Sequence, residues 1–338
     1  MVDLIVIQAI TELRLEGQPP EGIQLDDDCI IRPLDERIRF LSQNIFHPFI
    51  GLIHHESIIN ASAANFLEQV SETPVDDEAS KGFLLRTMTW TQLFLLSLWL
   101  IKDNSGNVGD GHLLLAEVGK GVHGFWSQRP GVLNFTADCH RLPSTFSKAE
   151  IDEAVALFAR LKAVLPQGPY NLDEPRPSGL VFDSRVVRTV YFAQAARASA
   201  DVAVKVAFQC LCFESLFASS SDSISHRVSE RTAALIGLDG PDKRSVYTGM
   251  RKLYNARSTV VHGDPIKVSA LPALRERAKQ ADSYLRRAIR KLLEMEELLT
   301  LFSSRKHEAI DAYFLMQIFP GNAPTPPAAG TGTTTRAS

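Results

Sequence analysis

The chain has 338 residues, of which 36 are Lys or Arg and 39 are Asp or Glu, so its formal net charge is −3. This length suits roughly two domains, and the 45% hydrophobic and 22% charged fractions are those of an ordinary globular protein. The charge balance excludes a global attraction to nucleic acid or to an acidic membrane, so any such binding must come from local patches.

The cysteines and the apolar runs bear on the compartment. The four cysteines, Cys29, Cys139, Cys210 and Cys212, have no zinc-site spacing. Cys210 and Cys212 are two positions apart on a predicted helix, so they point apart and cannot easily form a disulfide, and we therefore expect a reducing, cytoplasmic environment. No signal-peptide pattern is visible at the start, and the longest apolar run, residues 93–101, is too short to span a bilayer. We expect that run to be a buried helix and the protein to have no membrane partner.

The first segment, residues 1–45, is predicted to be mixed strand. Residues 4–7 are a short apolar run and residues 10–15 lead into a turn at 16–20. Residues 23–25 and 29–31 could pair with these first strands. The acidic triplet at 26–28 lacks the glycine and the trailing glutamate of a calcium-binding loop, so it is interpreted as a solvated turn.

The next segment is predicted to alternate between strands and helices. Apolar residues 49–53 suggest a strand, residues 61–70 a short helix, and residues 80–101 a long buried helix. Residues 112–118 and 132–137 are strand candidates.

Motifs of the common catalytic and metal sites are missing from the sequence. No glycine-rich phosphate loop, G-x-S-x-G elbow or H-E-x-x-H zinc helix is present. The adjacent pair His54 and His55 would diverge on any regular element, so surface residues are a better interpretation than metal ligands. We therefore expect no metal and no cofactor.

From residue 147 onward the sequence is predicted to be helical. Ser147 and Glu150 form a capping box that opens the first of these helices. A Pro-rich connection is expected to follow. The predicted helices after it cover residues 185–198, 201–217, 226–236, 242–262 and 272–302. The second of them is apolar nearly all round, which is typical of the central helix of a bundle.

The segment RSTVVHG at residues 257–263 ends the fourth of these helices and joins an arginine to a histidine. Counting at 100° per residue places Arg257 near the middle of an apolar stripe, where a guanidinium needs an anionic partner. Glu214, in the otherwise apolar second helix, is the expected partner. His262 directly precedes a helix-stop sequence, in the last turn, where the helix dipole favours the imidazolium.

Two interpretations of these residues stay open. Arg257 and Glu214 form either a plain ion pair between helices or part of a phosphate site, and His262 is either a helix cap or a proton-transfer group. Arg251, Lys252 and Asn255 share a helix flank that could hold a phosphate backbone, although such a run is more often a solvated face.

The helix ending LYNARSTVVHG at 253–263 resembles the signature of HEPN domains, which is an Arg, a polar residue, a short spacer and a His. The upstream CFESLF at 212–217 is similar to the second helix of the ApeA-like HEPN subgroup. The resemblance covers residues 184–301. Some members carry a second acid near the glutamate, and here Ser215 and Leu216 occupy those positions.

This resemblance implies a helical bundle that forms a homodimer, with two Arg-His motifs facing each other across a two-fold axis. It also implies a metal-independent endoribonuclease, often in a defence or toxin-like setting. Arg257 would stabilise charge on the phosphorus, His262 would act as general acid or base, and Ser258 would orient them, with Glu214 and Asn255 in support. RNA would contact Arg251 and Lys252. The alternative is a non-catalytic HEPN module for dimerisation or RNA binding.

The predicted fold class is α+β. A mixed strand and helix N-terminal domain is expected at 1–165, where a regulatory partner could act. A linker at 166–183, a HEPN-like helical bundle at 184–302 and a short helical extension at 303–319 follow. The Pro-, Thr- and Gly-rich tail at 320–338 is expected to be disordered.

Overall fold

The computed structural model describes residues 2–71, 76–117, 120–129, 133–165, 184–219, 223–261, 267–304 and 307–318. Together they form an α+β protein, with an antiparallel sheet in the N-terminal half followed by a run of helices. The strands are β1 (Val2–Thr11), β2 (Leu13–Leu15), β3 (Ile23–Asp26), β4 (Cys29–Pro33), β5 (Ala63–Ser71), β6 (Asn107–Glu117), β7 (Gly121–Gln128) and β8 (Ser144–Phe146). The helices are α1 (Glu36–Leu41), α2 (His47–Ile59), α3 (Asp77–Ile101), α4 (Lys148–Val164), α5 (Arg185–Ala198), α6 (Val202–Phe217), α7 (Ile224–Ile236), α8 (Gly240–Val261), α9 (Leu271–Glu294), α10 (Glu296–Ser303) and α11 (His307–Ile318).

The first strand, β1, lies inside a six-stranded antiparallel sheet with the order β3-β4-β5-β1-β6-β7. Its apolar run suits a strand that is covered on both faces, because successive side chains point to opposite sides. Leu4 and Val6 pack against α3, whereas Ile5 and Ile7 pack against α2. The segments at 23–25 and 29–31 are strands, but their predicted pairing with the first strands is wrong, because β3 pairs with β4 and β4 pairs with β5.

Three of the predicted elements were wrong. Residues 49–53 lie in α2 instead of a strand, and Gly51, with φ of 72°, kinks that helix. Residues 63–71 form strand β5 instead of a helix, in register with β1. Residues 133–137 form no strand, and residue 132 lies outside the described residues. Short apolar runs do not distinguish a strand from a helix, and pairing with β1 decides the second case.

The predicted long buried helix is confirmed as α3, whose residues 84–100 are nearly all buried. By length and composition α3 could cross a membrane, with a mean hydropathy of 1.3 over its most apolar window. However, 78% of that window is buried inside the protein, as expected for the core helix of a globular fold.

The helices of the C-terminal half follow the predicted order. The second of them, α6, packs against α5, α7, α8 and α9, which is the central position that its apolar sequence predicts. The predicted fifth helix is divided in two, because Met295 takes an extended conformation between α9 and α10. The predicted linker at 166–183 lies outside the described residues, as do residues 319–338 of the extension and the disordered tail.

A continuous hydrophobic core joins the two halves. It includes Trp99 of α3 and Phe158 of α4 together with Phe213 of α6 and Leu285 of α9. Asp282 of α9 crosses the same boundary, because its carboxylate accepts a hydrogen bond of 2.9 Å from the Trp99 indole. The two halves therefore pack against each other, and side chains from both contribute to one hydrophobic core.

Candidate functional site

The candidate site is built on the last turn of α6 and the last turns of α8. Apolar side chains at Val246, Met250, Leu253 and Tyr254 form the buried face of α8, at the helical spacing expected from the sequence. Arg257 follows one turn later and points toward α6, where Glu214 occupies the last turn. Helix packing thus places the predicted guanidinium and carboxylate side by side.

Arg257 and Glu214 form a loose ion pair. The distance from Arg257 Nη2 to Glu214 Oε1 is 3.7 Å, and the two side chains are 33% and 18% exposed. This distance lies beyond that of a hydrogen bond, and Arg257 donates no hydrogen bond to any residue in the described part of the chain. The pair is therefore open to solvent on one side, unlike the fully buried pair that the apolar stripe predicts.

Burial raises the pKa of the Glu214 carboxyl, while the Arg257 charge and the Tyr254 hydroxyl act to lower it. The Tyr254 hydroxyl is buried and makes no hydrogen bond of acceptable geometry, although it lies near this carboxylate. Burial also raises the pKa of Cys210, one turn before Glu214, so its thiol stays protonated near neutral pH. Glu214 is thus the titratable acid beside the arginine.

The other predicted site residues point in different directions. Arg251 donates a hydrogen bond of 2.8 Å to Ser225 Oγ of α7. Lys252 lines a groove on the side of α9. Asn255 and Ser258 are exposed on α8. His262 lies outside the described residues, and α8 ends at the residue before it. Arg251 and Lys252 therefore do not lie on one flank: one faces α7 and the other faces α9.

A basic groove between α8 and α9 was missed by the sequence reasoning. We call it the α8–α9 groove. It consists of a hollow of about 590 Å³ lined by Arg244 and Lys252, and another of about 390 Å³ lined by Lys267 and Arg277. These four cations form no ion pair with any described residue, so their charge is available to an anionic partner. Only the three-dimensional packing of two helices brings them together, so the sequence carries no local signal for the groove.

The described residues do not place three or more His, Cys, Asp or Glu side chains where they could hold a metal ion. The site offers a guanidinium with open N–H donors and a carboxyl with a raised pKa, and α8 also carries two cations of the α8–α9 groove, Arg244 and Lys252. Such a set can bind a phosphate and stabilise added negative charge on its oxygens.

Comparison of the chain with models of known protein families, with characterised proteins and with solved structures gives no match.

Proposed function

We propose that this protein is a metal-independent endoribonuclease of the HEPN type, in which residues 184–302 form a HEPN bundle. The active site would be composite, with Arg257 and His262 of two chains meeting across the two-fold axis of a homodimer. A defence or toxin-like role, cytoplasmic location and regulation through the N-terminal half belong to the same proposal.

The observation that carries the proposal is the state of Arg257. A guanidinium that served only to tie α6 to α8 would be expected to form a short, bidentate pair with its carboxylate. Here the two charged groups are 3.7 Å apart and the Arg257 side chain is one-third exposed. Its N–H donors are therefore free to bind the oxygens of a phosphodiester, while Glu214 holds the side chain in position.

The proposed reaction needs no cofactor. A general base removes the proton of the ribose 2′-hydroxyl, whose oxygen attacks the adjacent phosphorus. The bond from phosphorus to the 5′-oxygen breaks, and a general acid protonates that oxygen, which leaves a 2′,3′-cyclic phosphate and a 5′-hydroxyl. Arg257 would stabilise the charge on the phosphorane oxygens. One imidazole cannot act as base and acid in the same step, so two copies of His262 in a dimer would share the work.

The α8–α9 groove supports an RNA substrate. Four cations that form no ion pair with a described residue line it beside the helix that carries Arg257, which is the pattern expected for contacts to a nucleic-acid backbone. Lys252, predicted from the sequence as an RNA contact, lies in this groove.

The test is cleavage of single-stranded RNA by the purified protein in EDTA. We expect products that end in a cyclic phosphate, and loss of cleavage in both His262→Ala and Arg257→Ala. Lys252→Ala should weaken RNA binding for every sequence and reduce its salt dependence, because one phosphate contact is lost. Two matched variants, Arg14→Ala on β2 and His123→Ala on β7, alter exposed residues of the N-terminal half and should retain full activity.

Cleavage that requires a divalent metal, or full activity in His262→Ala, would contradict the proposal. Sedimentation of the same samples tests the homodimer, because a monomer that cleaves RNA at full rate would rule out a composite site.

A non-catalytic module for dimerisation or RNA binding is the second candidate. Its support is that Arg257 lies within ion-pair distance of a carboxylate in its own chain. This candidate predicts RNA binding without cleavage, and Arg257→Ala would then leave the dimer unchanged.

A further inference from the structure

A cavity at the boundary between the two halves of the molecule has the features of a small-molecule site. Its volume is about 560 Å³, within the usual range for ligand pockets. The N-terminal half contributes α3 and the ends of β6 and β7, and the C-terminal half contributes α5. Met88, Leu95 and Val108 form an apolar floor and are themselves buried. The cavity is remote in sequence from the Arg257 motif and shares no lining residue with the α8–α9 groove.

Three polar side chains on the walls of this cavity have no hydrogen-bond partner among the described residues. They are Gln92 on α3 and Tyr191 and Gln194 on α5. Asn134, on the same wall, is fixed by donating through Nδ2 to the carbonyl of Gly106. Amides can donate and accept in one plane, so this lining suits the edge of a heterocyclic base. The exposed Tyr191 ring adds an aromatic surface on which a base can stack.

Two arginines line the cavity: Arg197 is buried and Arg129 is exposed. Arg197 is only 4% exposed, and its guanidinium donates one long hydrogen bond of 3.4 Å to Asn104 Oδ1 and lies 5.7 Å from the centroid of the Trp99 ring. Its Nε–H is buried and donates to no group among the described residues, which is a costly state for a cation. Arg129 is 82% exposed and lies 3.9 Å from Asp110, so it can turn toward a ligand at little cost.

Nearby acids do not remove the positive charge of Arg197. Burial lowers the pKa of its guanidinium to about 10, while Asp282 and Asp103 hold it up, so the side chain stays charged at neutral pH. The Asp282 carboxylate is already engaged, since it accepts from Trp99 and Arg286, and both oxygens of Asp103 accept from the backbone of Ala137.

We propose that this cavity binds a nucleotide. The base would lie on the apolar floor against Tyr191, with its edge hydrogen-bonded to Gln92 and Gln194. The positive charges of Arg129 and Arg197 would attract the phosphate. A ligand held in this way contacts α3 and α5 together, so it bridges the two halves of the molecule and stabilises their contact. Since α5 packs along α6, which carries Glu214, the cavity is one helix away from the candidate RNA site. The binding proposal itself does not depend on nuclease activity.

The test is calorimetric titration of the full chain with AMP, GMP, CMP and UMP, and with adenosine and inorganic phosphate as fragments. We expect saturable binding of one molecule per chain for at least one of the nucleotides, together with a rise in Tm. The matching fragments should bind more weakly, since each lacks one half of the contacts. Gln194→Ala and Arg129→Ala should each weaken binding about tenfold, the effect of one lost hydrogen bond or charge contact.

Controls separate this cavity from the rest of the surface. Gln43→Ala changes an exposed glutamine of the N-terminal half that is not part of the cavity, and should bind as the wild type does. Arg257→Ala should also bind normally.

Loss of nucleotide binding in Arg257→Ala but not in Gln194→Ala would place the ligand at the candidate RNA site and overturn the proposal. The absence of saturable binding at millimolar nucleotide, or equal affinity for inorganic phosphate, would overturn it as well. Gln194 and Arg129 are exposed, so their replacement leaves the core intact.

Discussion

At the scale of single residues, the pairing of Arg257 with Glu214 is weaker than the apolar stripe of α8 predicts. A fully buried pair would cost about 3–5 kcal/mol when either partner is removed, because a buried charge would be left alone. The observed pair is loose and partly exposed, and water can solvate the remaining group. Its role is then better explained by holding the guanidinium in place than by stabilising the fold.

We therefore expect Arg257→Ala to lower the free energy of unfolding by only about 0–1 kcal/mol, as measured by urea titration. Glu214 can take up a proton in this variant, because burial already raises the pKa of its carboxyl. Arg231→Ala is the matched comparison. Its side chain is buried and bonded to the carbonyl of Phe217 and to Asp311, so the loss there should be larger. A loss of 3 kcal/mol or more at Arg257, on the order of a buried pair, would contradict the open site.

His112 gives the molecule a pH dependence whose sign follows from its burial. The imidazole is buried on β6, with Nδ1 3.0 Å from Ser127 Oγ, and burial together with the nearby His54 lowers its pKa to about 4. At pH values between this pKa and the pKa of about 6.5 in the unfolded chain, the imidazole is protonated in the unfolded chain and neutral in the folded one. Stability from this group is therefore present near neutral pH and lost as the pH falls through that window.

We expect the stability advantage of the wild type over His112→Gln to shrink between about pH 7 and about pH 4, by at most about 3 kcal/mol. The difference between the two proteins must be used, because Asp103 acts in the opposite sense. Burial raises the pKa of its carboxyl to about 6, so this group adds stability as the pH falls. Urea midpoints at several pH values measure the effect. A difference that stays constant with pH would show that His112 does not titrate as its burial requires.

At the scale of elements, the sequence predicts most helices well and the strands less well. The helices from α4 to α8 were found from capping residues and apolar spacing, which are local signals. Residues 49–53 and 61–70 were assigned to the wrong element type, because their state is decided by neighbours in space. Residues 63–71 pair with β1 along its length, a contact that no local pattern reveals.

The capping box of α4 offers a direct test at this scale. Ser147 Oγ accepts from the backbone N–H of Glu150, and the Glu150 carboxylate accepts from the backbone N–H of Ser147. We expect Ser147→Ala to cost about 1 kcal/mol of stability, the usual effect of removing an N-cap. Ser303→Ala, an exposed serine at the end of α10, should be neutral when measured in the same thermal melts. Equal stability of both variants would mean that α4 does not depend on its cap.

At the scale of the whole molecule, polar contacts tie the two halves together, some of them buried and some at the surface. Asp282 of α9 accepts hydrogen bonds from the Trp99 indole of α3 and from Arg286, and its charge also acts on Arg197. Lys279 of α9 pairs with Asp138 in the loop after β7 at 3.0 Å. Opening this boundary would break these contacts and expose the shared hydrophobic core to water, so the halves should separate only when both unfold.

Accordingly, Asp282→Asn should cost about 3–5 kcal/mol, because Arg286, which pairs with this carboxylate at 2.9 Å, loses its counter-charge. The matched variant Asp152→Asn breaks an exposed pair with Lys148 on α4 and should cost no more than about 1 kcal/mol. Trp99 fluorescence reports on the boundary and far-ultraviolet dichroism on the helices, and the two should show coincident urea transitions. Separate transitions would mean that the boundary opens before the helices melt.

The site was predictable only in part, for reasons that differ between residues. Arg257 and Glu214 stand out in the sequence, because each is a charge in an apolar helix face, and the structure brings them together. The α8–α9 groove and the cavity on α3 and α5 carry no such mark. Gln92 and Gln194 look like ordinary exposed glutamines in the sequence, and only the fold brings them to the same cavity. Sites that form only when helices distant in sequence pack together therefore cannot be predicted from local sequence patterns.

The burial of α3 has a consequence for how the polypeptide is made. This hydrophobic helix emerges from the ribosome long before α9 has been synthesised. In the folded protein, α9 covers one side of α3. Throughout that delay the nascent chain presents a stretch with the length and hydropathy of a bilayer anchor. During this interval, chaperone binding and mistaken membrane targeting compete with the packing of α3 against α9. Slowing translation beyond residue 101 should therefore increase aggregation of newly made protein.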